Sequence, residues 1–227
     1  MNIVVTGASR GIGKAIALRF AAKNHSVIVC SRDAQKLDAL KKESPSIITY
    51  VCDVSKKEDI FRFAGFVLDT FKHIDVLINN AGIFIPGKIT EEDDEILAQT
   101  LNTNLFSAYY LTKKLLPQFI KQQDGYIFNM CSVASIKAYE NGGSYSISKF
   151  ALLGFTKTLR EELKPHHIKV TAILPGATLT DSWSGVDLPE SRFCPPDDIA
   201  DLLLSITQIS KFSVVEELII RPQLGDI

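Results

Sequence analysis

Asn2-Ile3-Val4-Val5-Thr6-Gly7-Ala8-Ser9-Arg10-Gly11-Ile12-Gly13 opens the chain as a β-branched strand, a glycine-rich turn and the first residues of a helical pattern. Glycine lets the backbone turn tightly and approach a ligand closely. The N-terminus of a helix offers unpaired N–H groups and a positive dipole end, which suit a pyrophosphate. The spacing is G-x-x-x-G-x-G, whereas the dinucleotide fingerprint is G-x-G-x-x-G. A tight turn without a ligand is the alternative, but the position between a strand and a helix favours a phosphate site.

The same alternation of strand and helix signals continues along the chain. The early strand runs are nearly continuous in Val and Ile, as expected for strands that are covered on both faces. The pattern predicts an α/β fold in a single domain over residues 1–227, with a doubly wound parallel sheet of about seven strands and helices on both faces. The predicted strands are Asn2–Thr6, Ser26–Cys30, Ile47–Cys52, Asp75–Asn79, Tyr126–Met130, Lys169–Leu174 and Glu217–Ile220. The predicted helices cover 12–23, 33–42, 56–72, 91–123, 144–164 and 197–208.

Two regions interrupt this regular pattern. Pro117 lies inside the long 91–123 stretch, where we expect it to kink or divide the helix. Residues 177–196 have no clean periodicity, and so long a loop in a compact domain is usually functional or mobile. This loop carries Trp183 and Phe193, which either close over an apolar ligand or pack into the core.

The charge balance argues against nucleic acid as a partner, because 25 Lys and Arg residues face 26 Asp and Glu residues. No stretch approaches the ~20 apolar residues that a membrane span needs. The N-terminus lacks the basic and apolar regions of a signal peptide. We therefore expect a cytoplasmic protein with no membrane partner.

No metal site is expected. The cysteines Cys30, Cys52, Cys131 and Cys194 are scattered and show no metal-ligand spacing, which predicts buried or partly buried reduced thiols. The pair His166-His167 more simply follows the end of a helix, where positive charge is favourable. The acidic run Glu91–Glu95 more simply opens a helix, where negative charge is favourable.

Ser31 and Arg32 follow the second predicted strand, where a dinucleotide-binding fold meets the adenosine ribose. An acidic residue there would favour NAD, whereas Arg accommodates the 2′-phosphate of NADP. Arg10 could supply a second positive charge. We assign Asp33 to the N-cap of the next helix, because facing the ribose it would repel the phosphate. These residues favour NADP(H) over NAD(H).

Tyr145 and Lys149 are spaced to share one face of a helix. A Lys ammonium beside a phenol stabilises the phenolate, so the pair suits general acid–base catalysis. The alternative is a half-buried Tyr and an exposed Lys without a shared role. Ser132 follows the fifth predicted strand, and ligands of open α/β sheets bind outside the carboxyl ends of the strands. Three further motifs fall near the same edge: Asn79-Asn80-Ala81-Gly82, Asn104, and Pro175-Gly176.

Taken together, these motifs resemble the short-chain dehydrogenase/reductase family from Val5 to about Ile220. The matching elements are Thr6-Gly7-x-x-x-Gly11-x-Gly13, Cys52-Asp53-Val54, Asn79-Asn80-Ala81-Gly82, Asn104, Ser132, Tyr145-x-x-x-Lys149, and Pro175-Gly176 with Thr180. The resemblance implies a Rossmann-like domain with a catalytic tetrad of Asn104, Ser132, Tyr145 and Lys149. It implies that Tyr145 exchanges the proton, Ser132 polarises the carbonyl, Lys149 holds the ribose and stabilises the phenolate, and Asn104 anchors a relay water. The implied cofactor-binding residues are Thr6, Gly7, Ser9, Arg10, Gly11, Ile12, Gly13, Ser31, Arg32, Asp53, Val54, Asn80, Ala81, Gly82, Tyr145, Lys149, Pro175, Gly176, Thr178 and Thr180.

The expected activity is NADP(H)-dependent hydride transfer between nicotinamide and a small-molecule carbonyl or secondary alcohol. Two alternatives remain, a 3-oxoacyl-[acyl-carrier-protein] reductase acting on an acyl thioester, and a nucleotide-sensing protein without catalysis. Docking of an acidic carrier would need a basic patch, for which Lys113, Lys114 and Lys121 are candidates, although a solvated helix face explains them as well. The family resemblance also implies a homodimer or homotetramer. The expected apolar lining of the site is Phe84, Ile85, Ile136, Tyr139 and Trp183.

Overall fold

One parallel sheet organises the computed structural model, which describes residues 1–183 and 185–227. Its strands are β1 (Asn2–Thr6), β2 (Ser26–Ser31), β3 (Ile48–Val51), β4 (Val76–Asn79), β5 (Gly125–Met130), β6 (Ile168–Pro175) and β7 (Glu217–Ile220). Their order in the sheet is β3-β2-β1-β4-β5-β6-β7. The order reverses between β1 and β4, which is where a doubly wound sheet forms a ligand crevice. This architecture confirms the predicted fold class, and the strand bounds differ from the predicted ones by one residue or not at all.

Helices cover both faces of the sheet. The helices are α1 (Gly11–Ala22), α2 (Ala34–Glu43), α3 (Lys57–Thr70), α4 (Glu95–Leu101), α5 (Ser107–Gln122), α6 (Gly143–Leu163) and α7 (Pro196–Thr207). The side chains of each strand alternate between two hydrophobic cores, so that Ile3 and Val5 face one core and Val4 faces the other. The first core is closed by α1, α2 and α7, and the second by α3, α5 and α6.

The predicted 91–123 helix is divided, but Pro117 does not divide it. Pro117 lies inside the continuous α5, where Leu115 and Phe119 on either side of it are fully buried in the core. The interruption is a π-helical turn at Asn102–Phe106, between α4 and α5. Such turns widen the helix locally and are frequent at functional sites. The expectation that Pro117 sets the break is therefore wrong.

The acidic run was expected to open that helix, and this expectation holds only in part. Helix α4 begins at Glu95, and the four acidic residues before it lie in a non-helical segment. Glu92 contacts the first residues of α6 instead.

The part of the chain that the structure describes contains no helix with the length and apolar character of a membrane span.

Glycine is required at the start of β5. Gly125 has φ +140°, and a Cβ added there would lie 2.4 Å from Cδ1 of the buried Phe119. We expect Gly125→Ala to lower the free energy of unfolding by roughly 1–3 kcal/mol, because the overlap adds to backbone strain. In Gly154→Ala, in the exposed part of α6, the added Cβ meets nothing within 4 Å. This control should raise the free energy of unfolding by about 0.5–1 kcal/mol. Urea unfolding measures both changes, and equal stabilities for the two variants would contradict this account.

Candidate active site

A cleft of about 680 Å³ lies at the carboxyl ends of the central strands. It is lined by residues from the glycine turn, from the ends of β2 to β6, and from the loop after β6. The predicted cofactor residues that line it are Gly7, Ser9, Arg10, Gly11, Ile12, Gly13, Ser31, Arg32, Asp53, Val54, Asn80, Ala81, Gly82, Tyr145, Lys149, Pro175, Gly176, Thr178 and Thr180. Thr6 and Asn104 lie behind the wall of the cleft, both almost fully buried.

The turn after β1 is clamped to the turn after β4. Thr6 Oγ1 accepts hydrogen bonds from the amides of Asn80 (3.1 Å) and Ala81 (3.0 Å). Asn80 Nδ2 donates to the carbonyls of Thr6 (2.9 Å) and Gly7 (3.1 Å). A Cβ at Gly13 would lie only 2.4 Å from that nitrogen, so the contact needs glycine. The clamp fixes the start of α1 at the cleft.

The start of α1 fits a phosphate group. Its N-cap residue, Arg10, makes no side-chain capping bond, and no acidic residue lies in the first turn. The residues Gly11, Ile12 and Gly13 line the cleft, so the uncapped positive end of the helix faces it. These features match what a dinucleotide pyrophosphate requires.

Three basic side chains, Arg10, Arg32 and Lys36, lie near the glycine turn and the end of β2. Arg32 is exposed and lines the cleft, whereas Asp33 caps α2 by accepting from the amide of Lys36 at 3.0 Å. The predicted role of Asp33 is therefore confirmed. Arg10 pairs with Asp181 at 2.9 Å, and Lys36 lies 3.7 Å from the same carboxylate. The hydrogen bond from Arg10, more than the charges of Arg10 and Lys36, lowers the pKa of Asp181.

Asp53 lies on the cleft wall after β3. Burial would raise the pKa of its carboxyl, but hydrogen bonds from Ser55 and the charges of Lys56 and Arg32 lower it overall. Asp53 therefore remains a carboxylate acceptor near neutral pH.

Tyr145, Lys149 and Ser132 all line the cleft. Lys149 is only 4% exposed. Its Nζ donates a hydrogen bond to the carbonyl of Met130 at 2.7 Å and lies 5.7 Å from the centre of the Tyr145 ring. Ser132 Oγ accepts from the amide of Ala134 at 3.1 Å, which leaves the hydroxyl proton to donate elsewhere. Ser132 and Tyr145 therefore offer two hydroxyl groups to the cleft, and the Lys149 ammonium lies near the Tyr145 ring.

Asn104 is brought to the same region but does not reach the cleft. Its Oδ1 accepts from the amide of Ile83 at 2.8 Å. Its Nδ2 donates to the carbonyl of Ile83 at 3.0 Å and to Ser148 Oγ at 2.9 Å. From its position in the π-helical turn, Asn104 thus links the segment after β4 to α6 by hydrogen bonds.

The apolar lining is only partly as predicted. Phe84, Tyr139 and Trp183 line the cleft, whereas Ile85 and Ile136 do not. The Phe84 ring packs edge-on against Tyr145 with centroids 4.9 Å apart. Burial, together with the charge of Tyr145, raises the pKa of Tyr139, which keeps that phenol a hydrogen-bond donor.

The loop at 177–196 combines both roles considered for its aromatic residues. Trp183 lines the cleft, while Phe193 is buried and lies 5.3 Å from the Trp183 ring. Backbone hydrogen bonds of Cys194 with Ala177 and Leu179 close the base of the loop. Ser184, which belongs to this loop, lies outside the described residues.

The segment after β7 was not identified from the sequence. Arg221 and Asp226 line the cleft and pair with each other. A turn in which the Gly225 amide donates to the Pro222 carbonyl at 2.9 Å returns the chain towards Gly176. The Pro-x-x-Gly spacing of Pro222 and Gly225 is the one signal that could have indicated this turn.

The remaining candidate residues lie apart from the cleft. Lys113, Lys114 and Lys121 do not line it, and the amines of Lys113 and Lys114 lie over the rings of Tyr109 and Phe61. His166 and His167 follow α6 as predicted. The described residues contain no group of three or more His, Cys, Asp or Glu that could hold a metal ion.

The four cysteines are free and buried, as predicted. Burial raises the pKa of the Cys131 thiol, beside Ser132, to about 11. Cys131 therefore remains a neutral thiol near pH 7 and does not serve as a nucleophile there.

Comparison with known proteins relates this cleft to a large enzyme family. A family model described as short chain dehydrogenase matches residues 1–190. The chain is 34% identical to sepiapterin reductase of Chlorobaculum tepidum over 99% of this chain and 97% of that protein. It is 34% identical to diacetyl reductase ((S)-acetoin forming) of Staphylococcus epidermidis over 81% of this chain and 74% of that protein. A metagenomic short-chain oxidoreductase in complex with NADP superposes with a TM-score of 0.86 at 31% identity, over 99% of this chain and 98% of that one.

Thr6 offers a direct test of the clamp between the two turns. Thr6→Val keeps the shape but leaves the amides of Asn80 and Ala81 without their hydroxyl acceptor. We expect a loss of about 1–3 kcal/mol in the free energy of unfolding and weaker NADPH binding. Thr6→Ser keeps the acceptor and should stay close to wild type. Urea unfolding and NADPH fluorescence titration measure both effects; wild-type binding by Thr6→Val would show that the clamp does not shape the site.

Proposed function

The chain belongs to the short-chain dehydrogenase family, and we propose that it is an NADP(H)-dependent reductase of small carbonyl compounds. The observation that carries the proposal is that Ser132, Tyr145 and Lys149 line the same cleft as the glycine turn. When bound, a nicotinamide cofactor supplies or accepts the hydride. The chain's own residues orient the substrate oxygen and move its proton.

We propose that the Tyr145 phenol donates the proton to the carbonyl oxygen during reduction and accepts it in the reverse direction. The buried Lys149 ammonium stabilises the phenolate that this transfer leaves behind. The Ser132 hydroxyl, whose oxygen already accepts from Ala134, donates to the same substrate oxygen as negative charge develops there.

The contacts of Asn104 support a positioning role in this scheme. Its hydrogen bonds to Ile83 and Ser148 fix the segment after β4 against α6. The relay water that the family resemblance implies at Asn104 stays a prediction.

A ketone next to a second oxygen-bearing carbon is the substrate class that we propose. Sepiapterin and diacetyl, which name two similar proteins, share this arrangement. In the cleft, Tyr139 offers a second phenol that remains protonated and can donate to the neighbouring oxygen. Ser132 and Tyr145 would meanwhile donate hydrogen bonds to the oxygen of the carbonyl that is reduced.

Removal of the Tyr145 hydroxyl tests the mechanism. Tyr145→Phe should fold and bind NADPH like wild type but lose at least about 10²-fold in kcat, because general acid catalysis typically contributes that much. NADPH oxidation is followed with vicinal diketones, hydroxyketones, simple ketones, aldehydes, sugars and 3-oxoacyl thioesters.

The substrate panel also separates the alternatives. Preferred turnover of carrier-bound thioester would favour the acyl-carrier reductase, and NADPH binding without any turnover would favour a nucleotide sensor. Full activity of Tyr145→Phe would overturn the proposed proton donor.

Arg32 tests the proposed preference for NADP(H). Arg32→Ala should raise the KM for NADPH by roughly tenfold or more, since a charge-assisted hydrogen bond contributes ~1.5–3 kcal/mol. The KM for NADH should change little. Lys14→Ala is the matched control, because Lys14 pairs with Glu43 and does not line the cleft. Equal effects of Arg32→Ala on both cofactors would contradict a 2′-phosphate contact.

A further inference from the structure

Helix α6, which carries Tyr145 and Lys149, has no capping side chain of its own. Its N-cap residue is Gly142, which offers no side-chain acceptor. The first amides of a helix need acceptors, and Ser, Thr, Asn or Asp at the N-cap usually supplies one. The acceptor for this helix must therefore come from elsewhere.

Glu92 supplies it from the segment before α4. Its carboxylate accepts a hydrogen bond from the Ser144 hydroxyl, and Oε2 accepts one from the Ser144 amide at 3.3 Å. Ser144 is fully buried and directly precedes Tyr145. A Cβ at Gly143 would lie 2.8 Å from Glu92 Oε2 and 2.6 Å from the Gly87 carbonyl oxygen, so glycine permits the close approach.

The segment that carries Glu92 also contacts the surroundings of Tyr145 at other points. The Gly87 amide donates to the Asn141 carbonyl at 3.0 Å, and Lys88 lies 3.6 Å from Glu140. Phe84 packs edge-on against the Tyr145 ring. One segment therefore touches both the phenol ring and the turn on which the phenol is mounted.

We propose that Glu92 is a positioning residue for Tyr145. Its carboxylate completes the first turn of α6 and thereby sets the location of the phenol relative to Ser132 and Lys149. The effect on catalysis follows because a displacement of about 1 Å at a reacting group can cost about 10²-fold in rate. The catalytic part of this inference rests on the proposed function of Tyr145.

The kinetic test compares Glu92→Ala and Glu92→Gln with Glu91→Ala. Glu92→Ala should lower kcat at least about tenfold, while the KM for NADPH stays within about twofold because the glycine turn is untouched. Glu92→Gln keeps an oxygen that accepts from Ser144 and should recover most of the lost kcat. Glu91 lies one residue away, and among the described ion pairs its carboxylate contacts only Lys88, at 3.7 Å. Glu91→Ala should therefore match wild type.

A spectroscopic arm makes the result independent of turnover. The protein is labelled with 3-fluorotyrosine, and the Tyr145 resonance is assigned by its absence in Tyr145→Phe. Glu92→Ala should shift or broaden this resonance, whereas Glu91→Ala should not.

The kinetic and spectroscopic outcomes together separate the positioning role from the proposed function. A shifted resonance without turnover by any variant would count against the proposed function but support the positioning role. An unchanged resonance with wild-type kcat in Glu92→Ala would overturn the positioning role. If Glu92→Ala does not fold, the decision rests on Ser144→Ala, which removes only the hydroxyl donor. Wild-type kcat and an unmoved Tyr145 resonance in Ser144→Ala would then overturn the proposal, and changes in both would support it.

Discussion

The close approach of the turns after β1 and β4 is the constraint on which the rest of the site depends. Asn80 Nδ2 reaches the carbonyls of Thr6 and Gly7 because Gly13 has no side chain to obstruct it. This contact joins the start of α1, where phosphate would bind, to the end of β4. The chain then continues from β4 to Phe84 against Tyr145. The start of α1 and the segment that contacts Tyr145 are therefore positioned by the same pair of turns.

Helix α6 is held in register with the sheet by a buried polar network. Asn79 Nδ2 donates to Asn129 Oδ1 at 2.8 Å, and Asn129 Nδ2 donates to Thr156 Oγ1 at 2.9 Å. Lys149 donates to the Met130 carbonyl at the end of β5. Buried polar groups are costly without partners, so sliding of α6 along the sheet would break several bonds together. The network holds α6 against the sheet, and the contact of Glu92 with Ser144 holds the first turn of α6.

Features that depend on neighbouring residues could be predicted from the sequence, and the family resemblance also indicated which distant motifs line one cleft. Single long-range contacts outside those motifs could not be predicted. Strand β1 and the cap of α2 by Asp33 follow from local patterns. The acidic run shows how long-range contacts intervene. Negative charge does lie at the N-terminus of a helix, as expected from the helix dipole, but Glu92 serves α6 rather than the helix that follows it. No local pattern indicates a partner 52 residues away. Likewise, the location of Asp226 beside Gly176 depends on the whole sheet.

The two arginines at the cleft are not equivalent. Arg10 already binds Asp181 in the loop after β6, and the lowered pKa of Asp181 keeps that carboxylate ionised. A phosphate that approaches Arg10 must therefore compete with an anion of the chain itself. Arg32 forms no ion pair within the described residues and only influences Asp53 through its charge. Because Arg32 gives up no ion pair when it binds an anion, we expect the proposed 2′-phosphate contact to depend more on Arg32 than on Arg10.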